Sequence, residues 1–191
     1  MAHQLAFFPS AERILARAGG AEVRYVPALF SPDECERYFA VLRDGVAWDT
    51  TRVWMYDREV DVPRLVAWYG IGAALPEPLS SIRVRVAARL GADFNSVGMN
   101  LYRDGSDSVA WHSDKNELLT PDPTIAVVSF GVVRAMQIRP KAPPRHAISI
   151  ELEPGSALVM SGNAQDHYEH GIPKTPDAIG PRISVVFRTK A

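Results

Sequence analysis

Apolar positions recur at helical spacing in two stretches of the chain. A helix is predicted over 31–45, because Ser31 and Glu34 have the spacing of a capping box and apolar side chains then follow on one face. A second helix is predicted over 79–90, which ends before a glycine, and a third, shorter one over 10–18. The helices therefore fall in the first half of the chain.

After about residue 95 the pattern changes to short apolar or β-branched runs separated by turn residues. The predicted strands are 97–102, 125–130, 135–139, 148–152, 157–160 and 183–187. Helices followed by many short antiparallel strands indicate an α+β fold, with a double-sheet jelly roll supported by N-terminal helices. Periodicity alone does not distinguish the jelly roll from an open sandwich.

The chain has 191 residues, of which 47% are hydrophobic and 23% charged, and we expect a single domain over 1–191. Its net charge of −1 excludes a global basic field, so any contact with nucleic acid must come from a local patch. Cys35 is the only cysteine, which excludes a disulfide scaffold or a cysteine-based zinc cluster. Because it lies on the apolar face of the predicted helix, we expect it in the core.

The N-terminal residues lack the pattern of a signal peptide, and no stretch approaches the roughly 20 apolar residues needed to span a bilayer. We therefore expect a cytoplasmic monomer with no membrane contact.

His112 and Asp114 are two positions apart, so on an extended strand both side chains point the same way and can chelate a divalent metal ion. A third ligand would come from His167 or His170, and the residues alone do not separate these two. Two histidines and a carboxylate suit a non-haem Fe(II) oxygenase, whereas a zinc hydrolase is the chemical alternative.

Arg182, Ser184 and Arg188 share one face of the last predicted strand, where two guanidiniums could converge on one anion. Asn100 and Tyr102 add an amide and a phenol on a second strand. This set suits a small dicarboxylate such as 2-oxoglutarate beside the metal. The alternative is that the two arginines form surface ion pairs on an exposed face of the sheet.

Several short motifs follow one another in order between about residues 22 and 190. They are Asn100-x-Tyr102, Asp104-Gly105, Trp111-His112-x-Asp114, Ser129-Phe130-Gly131, Gly155-Ser156, Met160-x-Gly162, Gln165, His170-Gly-Ile-Pro-Lys174 and Arg182-Ile-Ser-x-x-Phe-Arg188. In this order and at this spacing the chain resembles the AlkB-type Fe(II)/2-oxoglutarate dioxygenases, in the branch with the human homologues two and three and short bacterial relatives.

The resemblance implies a double-stranded β-helix (jelly roll) that uses Fe(II), 2-oxoglutarate and dioxygen. It implies that iron is bound by His112, Asp114 and His170. It implies that 2-oxoglutarate is bound by Asn100, Tyr102, Arg182 and Arg188, to which we add Ser184 on the same strand face. His167 would then line the pocket or support a ligand.

The segment 48–69 holds most of the tryptophan in the chain, interleaved with arginines, a composition that suits stacking on bases and pairing with phosphates. The segment resembles the nucleotide-recognition lid of AlkB-type enzymes, so we expect such a lid over 48–78. The substrate-binding residues expected are Trp54, Tyr56, Arg64, Trp68, Tyr69 and Glu117. The alternative for Trp48 and Trp68 is a place in the core, and Arg134 could contact either substrate or a neighbouring carboxylate.

The function expected is oxidative removal of methyl groups from bases such as 1-methyladenine and 3-methylcytosine in DNA or RNA, with release of formaldehyde. The target base would be single-stranded or flipped out of a duplex. The alternatives are the same chemistry on a protein side chain or small molecule, and a jelly-roll binding module without turnover.

Overall fold

A computed structural model describes residues 11–55, 57–114, 118–177 and 179–191, with only the backbone at 53–55. Within these ranges the chain forms two antiparallel sheets and three helices. No helix in the described ranges is long and apolar enough to cross a membrane.

The large sheet has eight strands, and all its neighbours are antiparallel. They are β1 (Arg13–Ala18), β2 (Ala21–Val26), β3 (Asp49–Met55), β4 (Arg58–Tyr69), β5 (Ser96–Tyr102), β7 (Thr124–Gly131), β10 (Ala157–Ser161) and β12 (Arg182–Arg188). Their spatial order is β1-β2-β10-β7-β12-β5-β4-β3.

The small sheet has four strands and faces the large one. They are β6 (Val109–His112), β8 (Arg134–Pro140), β9 (Ile148–Leu152) and β11 (Tyr168–Ile172), in the spatial order β6-β11-β8-β9. Because the strands cross between the two sheets along the chain, the architecture is the expected jelly roll.

Two helices cover the outer face of the large sheet. The first, α1 (Pro32–Gly45), begins with a complete capping box, in which the Glu34 amide donates to Ser31 Oγ and the Ser31 amide donates to the Glu34 carboxylate. The second, α2 (Leu79–Leu90), ends at Gly91 in the left-handed region. Both confirm the helices predicted from the sequence. A short third helix, α3 (Ala164–His167), precedes β11.

The predicted helix over 10–18 is wrong, since β1 occupies Arg13–Ala18 and pairs with β2. Gly19 and Gly20 both have positive φ and form the turn between the two strands. The expectation that helices precede all strands is wrong as well, because β1 and β2 come before α1, and β3 and β4 lie between α1 and α2. The glycine pair was the signal that a hairpin, not a helix, occupies this part of the chain.

The apolar core lies in two layers, one under the helices and one between the sheets. Strand β12 contributes to both: Ile183, Val185 and Phe187 pack under the helices, whereas Val186 faces the small sheet. Cys35 is buried in the helix-covered layer, as expected. The even-numbered face of β12 is therefore directed into the space between the sheets.

Candidate active site

Two imidazoles meet between neighbouring strands of the small sheet. His112 on β6 is the register partner of His170 on β11, and their ring centroids are 4.4 Å apart. His112 Nδ1 is 2.9 Å from the carbonyl oxygen of Ala110. A carbonyl can only accept, so Nδ1 donates to it and Nε2 is the nitrogen left to bind a metal, the arrangement common in metal-binding histidines.

His170 is almost fully buried, with 5% exposure, and its Nδ1 has no hydrogen-bond partner among the described residues. Burial, followed by the neighbouring His112, lowers the pKa of His170 to about 3, although Asp114 opposes the shift. The imidazole is therefore neutral at physiological pH, as a metal ligand must be.

Asp114 follows β6 directly and lies close to both histidines. Its amide donates to Gln165 Oε1 at 2.8 Å, and its two carboxylate oxygens accept from Arg188. Burial would raise the pKa of Asp114, but Arg188 and the two imidazoles outweigh this effect, so that the pKa is lowered. The carboxylate is ionised and fixed in orientation.

The side chains of His112, Asp114 and His170 are of the chemical types that bind a divalent metal ion. Both Asp114 oxygens are engaged by Arg188, and no group of three His, Cys, Asp or Glu side chains within the described ranges stands in a metal-holding arrangement. However, the imidazole of His112 and the neutral imidazole of His170, which has an unpartnered buried nitrogen, adjoin an ionised carboxylate. This is the donor set that Fe(II) oxygenases use.

Arg182 is the most completely buried large side chain of the site, with 0% exposure. Its Nη2 donates to Ser129 Oγ at 2.8 Å and its guanidinium lies 5.3 Å from the ring centroid of Tyr102. Its Nε and Nη1 are buried without a hydrogen-bond partner in the described part of the chain. Burial lowers the pKa of Arg182 to about 10, so the group is still a cation at neutral pH. A buried cation with two unused donors calls for an anion.

The alternative of surface ion pairs is wrong for Arg182 because of this burial. Arg182 and Arg188 also do not converge as expected: Arg182 lies beside Tyr102, whereas Arg188 is bound to Asp114. The strand rises by about 20 Å between the two positions, which accounts for the separation. The anion site is built around Arg182.

A polar row crosses three strands of the large sheet next to Arg182. Arg64 on β4 donates through Nε to Asn100 Oδ1 at 2.8 Å, and Asn100 Nδ2 donates to Ser184 Oγ at 3.2 Å. Tyr102 lies two positions along β5, where burial raises its pKa despite the neighbouring arginines. The predicted grouping of Asn100, Tyr102 and Ser184 on one surface is therefore present, and Arg64 joins it.

A cleft of about 850 Å³ opens beside His112. One wall is formed by residues 60–64 of β4, and the other by 109–112 of β6 with Gln137 and the segment 171–174. The lining is predominantly apolar, with a few polar groups, as in small-molecule and nucleotide sites. Of the residues predicted to bind substrate, Arg64 lies in this lining.

Trp68 and Tyr69 are on opposite faces of β4. Tyr69 packs against the helix-covered core, as does Trp48, so the prediction that Tyr69 contacts substrate is wrong. Trp68 is 51% exposed and lies next to Arg188 and Lys190, with the Lys190 Nζ 4.1 Å from a ring centroid. The side chain of Trp54, as well as Tyr56 and Glu117, lies outside the described residues.

His167 and Arg134 have other roles than those expected. His167 is exposed and lies against the β1–β2 turn at Gly19, so it does not line the cleft. Arg134 is buried and donates to the carbonyl oxygens of Asp104, Asp107 and Pro173, contacting main chain where substrate or a carboxylate was expected.

Comparison with known proteins finds related sequences over most of the chain. The family model for the 2OG-Fe(II) oxygenase superfamily matches residues 69–188. Human alpha-ketoglutarate-dependent dioxygenase alkB homolog 3 is 32% identical to this chain, over 92% of the chain and 68% of the relative. Human DNA oxidative demethylase ALKBH2 is 33% identical, over 90% of this chain and 74% of the relative.

Solved structures share the fold at low sequence identity. The structure of OsALKBH1 covers 93% of this chain with a TM-score of 0.67 at 13% identity. An oxidoreductase of the 2OG-Fe(II) oxygenase family from Burkholderia pseudomallei covers 89% with a TM-score of 0.59 at 15% identity.

Proposed function

Since this chain belongs to the AlkB-type branch of the 2OG-Fe(II) oxygenase superfamily, we propose that it removes methyl groups from N-alkylated bases of DNA or RNA. Its cofactors are Fe(II) and 2-oxoglutarate, with dioxygen as co-substrate. Together these supply the oxidation that converts an N-methyl group into formaldehyde, with 2-oxoglutarate ending as succinate and carbon dioxide. The protein contributes binding, orientation and exclusion of water.

His112, Asp114 and His170 are the proposed iron ligands. The pairing of β6 with β11 aligns the two imidazoles, and the Ala110 carbonyl leaves His112 Nε2 free to bind a metal. Arg188 keeps Asp114 ionised, and Gln165 anchors its backbone. These contacts place each donor before a metal arrives.

Arg182 is the proposed anchor of 2-oxoglutarate, and this is the observation that carries the proposal. Its guanidinium is buried and leaves N–H groups of Nε and Nη1 without a partner among the described residues, so it can donate to the carboxylate of an anion. The row of Arg64, Asn100 and Ser184 runs from this position towards the cleft, so it can orient the rest of the molecule. We assign Tyr102 to the wall of the same site, because it lies under the Arg182 guanidinium.

The cleft beside His112 is the proposed substrate site. Its apolar walls accept a base that has left the stack, and Arg64 and Lys174 lie along its lining. We retain the 48–78 segment as the substrate-recognition lid, of which residues 60–64 form one wall of the cleft. A single-stranded or flipped base in DNA or RNA is the form of substrate that this opening favours.

One observation favours a second candidate, the same oxidation on a protein side chain or a small molecule. Arg52, one of the arginines of the segment 48–69 whose composition suits pairing with phosphates, is paired with Asp61 at 2.8 Å and with Glu59 at 3.4 Å. These pairs cancel local positive charge on the β3–β4 hairpin of a chain whose net charge is −1. Methylated peptides and N-methyl amines therefore belong in the test.

The test measures succinate and formaldehyde together, with Fe(II) and 2-oxoglutarate present. We expect equal amounts of both from a single-stranded oligonucleotide carrying 1-methyladenine, and neither from the unmethylated strand. His112→Ala should abolish both products, whereas His146→Ala, at an exposed position, should leave them unchanged. Coupled formaldehyde release from a methylated peptide and not from the oligonucleotide would favour the second candidate.

A further inference from the structure

The outer face of the small sheet carries an aromatic–cation pair at the edge of the cleft. The Arg139 guanidinium of β8 lies 4.0 Å from the ring centroid of Trp111 on β6, although β11 runs between the two strands. Gly171 lies on β11 beside Trp111 and has no side chain to separate them. The stack therefore crosses the middle strand, and Arg139 covers one face of the indole.

This pair carries excess positive charge. Arg139 Nε donates to Glu169 at 2.6 Å, and the more exposed Arg145 donates to the same carboxylate. Two guanidiniums on one carboxylate leave a net charge of +1. Lys174, in the cleft lining nearby, adds a further cation. A phosphate group complements this charge.

Trp111 lies at the edge of the cleft, next to the proposed iron ligand His112. Trp111 and His112 are consecutive on an edge strand: the His112 ring lies against the buried His170, whereas the Trp111 ring lies against Arg139. Trp111 also lines the cleft, together with Gln137 and Lys174. A chain of nucleotides whose reacting base enters beside His112 therefore has its next base within reach of the indole.

We propose that Trp111 is a stacking platform for the nucleobase next to the one being demethylated, and that Arg139 and Arg145 receive the intervening phosphate. The inference rests on the proposed function and adds to it a second nucleotide-binding position outside the reacting pocket. Stacking on an aromatic ring is tolerant of base identity, so the platform favours a strand over a free nucleoside without selecting its sequence.

The test compares substrates that differ only in the neighbouring nucleotide. Demethylation is measured as kcat/KM on 1-methyladenosine monophosphate, on a methylated pentanucleotide, and on pentanucleotides with an abasic residue on either side of the methylated base. We expect Trp111→Ala to lower kcat/KM about 5- to 100-fold more on the pentanucleotide than on the mononucleotide. Trp111→Phe should restore most of the activity, because it keeps an aromatic face.

The abasic substrates and the Trp111→Ala variant together form a double-mutant cycle, which measures the interaction between the indole and the neighbouring base. In the wild type, one of the two abasic positions should reproduce the loss, and on that substrate Trp111→Ala should have no further effect. An equal loss on the mononucleotide would show a merely structural role and overturn the platform. Full activity of Trp111→Ala on the pentanucleotide would overturn it too.

A binding arm provides a readout that does not depend on turnover. For an unmethylated oligonucleotide, Arg145→Ala should reduce the slope of log K against log salt by about one. The matched control is Arg17→Ala, an exposed arginine that is also paired with a glutamate but lies on the β1–β2 hairpin. An unchanged slope for Arg145→Ala would overturn the phosphate contact. A wild-type protein that consumes 2-oxoglutarate but demethylates none of the strands would instead refute the proposed function.

Discussion

Arg188 holds Asp114 by both carboxylate oxygens, with Nε 2.9 Å from Oδ2 and Nη2 2.8 Å from Oδ1. Both side chains are 15% exposed, so the pair is largely shielded from solvent. This contact orients the carboxylate and lowers its pKa. Each oxygen accepts one of these hydrogen bonds and keeps a second lone pair, through which Asp114 can still bind a metal ion.

Replacing Arg188 by lysine should weaken metal binding. Lysine keeps the charge but not the planar two-point contact, so the carboxylate loses its fixed orientation. We expect the Kd for Co(II), followed by its absorption bands, to rise about 10- to 100-fold. The matched control is Arg43→Lys, which breaks a similar two-point contact with the exposed Asp44. An Arg188→Lys protein with the Co(II) affinity of the wild type would contradict this reading.

Replacing Arg182 by methionine should separate stability from binding. Losing two charge-assisted contacts should raise the Kd for 2-oxoglutarate about 100- to 1,000-fold, measured by anaerobic titration of the Mn(II)-loaded protein. In the absence of 2-oxoglutarate, the same change removes a buried cation with two unpartnered donors, so the Tm should stay level or rise. A lowered Tm together with unchanged 2-oxoglutarate binding would show that Arg182 is structural.

Gly98 is expected to be intolerant of any side chain. A Cβ at this position would lie 2.8 Å from the Trp68 ring and 3.0 Å from Arg188 Nη1. Gly98→Ala should therefore reduce the free energy of unfolding by about 1–3 kcal/mol and weaken metal binding through Arg188. Gly45→Ala, where nothing lies within 4 Å, is the matched control and should not destabilise the protein.

The double variant Gly98→Ala, Trp68→Ala tests whether the clash is the cause. Removing the indole should recover part of the lost stability, as measured by urea denaturation. Strict additivity of the two changes would argue against contact between these positions.

The free energy of unfolding of the metal-free protein should decrease as the pH is lowered below about 6.5. The pKa of His170 is about 3 in the fold and near 6.5 in the unfolded chain, so the unfolded state binds more protons between these values. The free energy of unfolding should then decrease by about 1.4 kcal/mol per pH unit in this window. Asp114, whose pKa is lowered, contributes stability that is lost only at more acidic pH, below about 4.

Urea denaturation in the presence of a chelator, at pH values from 7.5 to 4.5, measures this slope. His170→Asn should flatten it, because the titrating group is gone. His146→Asn, at an exposed position, should leave it as in the wild type. A slope that persists in His170→Asn would assign the titration to another group.

Local sequence patterns were sufficient for much of the fold. The capping box of Ser31 and Glu34 predicts the start of α1, and the alternation around Ile183 correctly separates the two faces of β12. The alternation of side chains along β4 also predicts the position of Tyr69. Leu65, Ala67 and Tyr69 share one face of the strand, and this face packs against the core.

The site itself depends on contacts between distant strands, which local patterns do not encode. The sequence pattern alone does not show whether His167 or His170 is the third metal ligand, because only the register of β11 against β6 brings His170 beside His112. In the same way, the pairing of Arg188 with Asp114 joins positions 74 residues apart.

The clamp formed by Arg134 has a consequence for how such proteins diverge. Its guanidinium binds three carbonyl oxygens, which every amino acid supplies, and so these hydrogen bonds do not depend on the side chains at 104, 107 and 173. A substitution at an exposed position of these loops leaves the hydrogen bonds of the arginine in place. The loops beside the cleft are therefore free to acquire new specificities without loosening the framework that carries them.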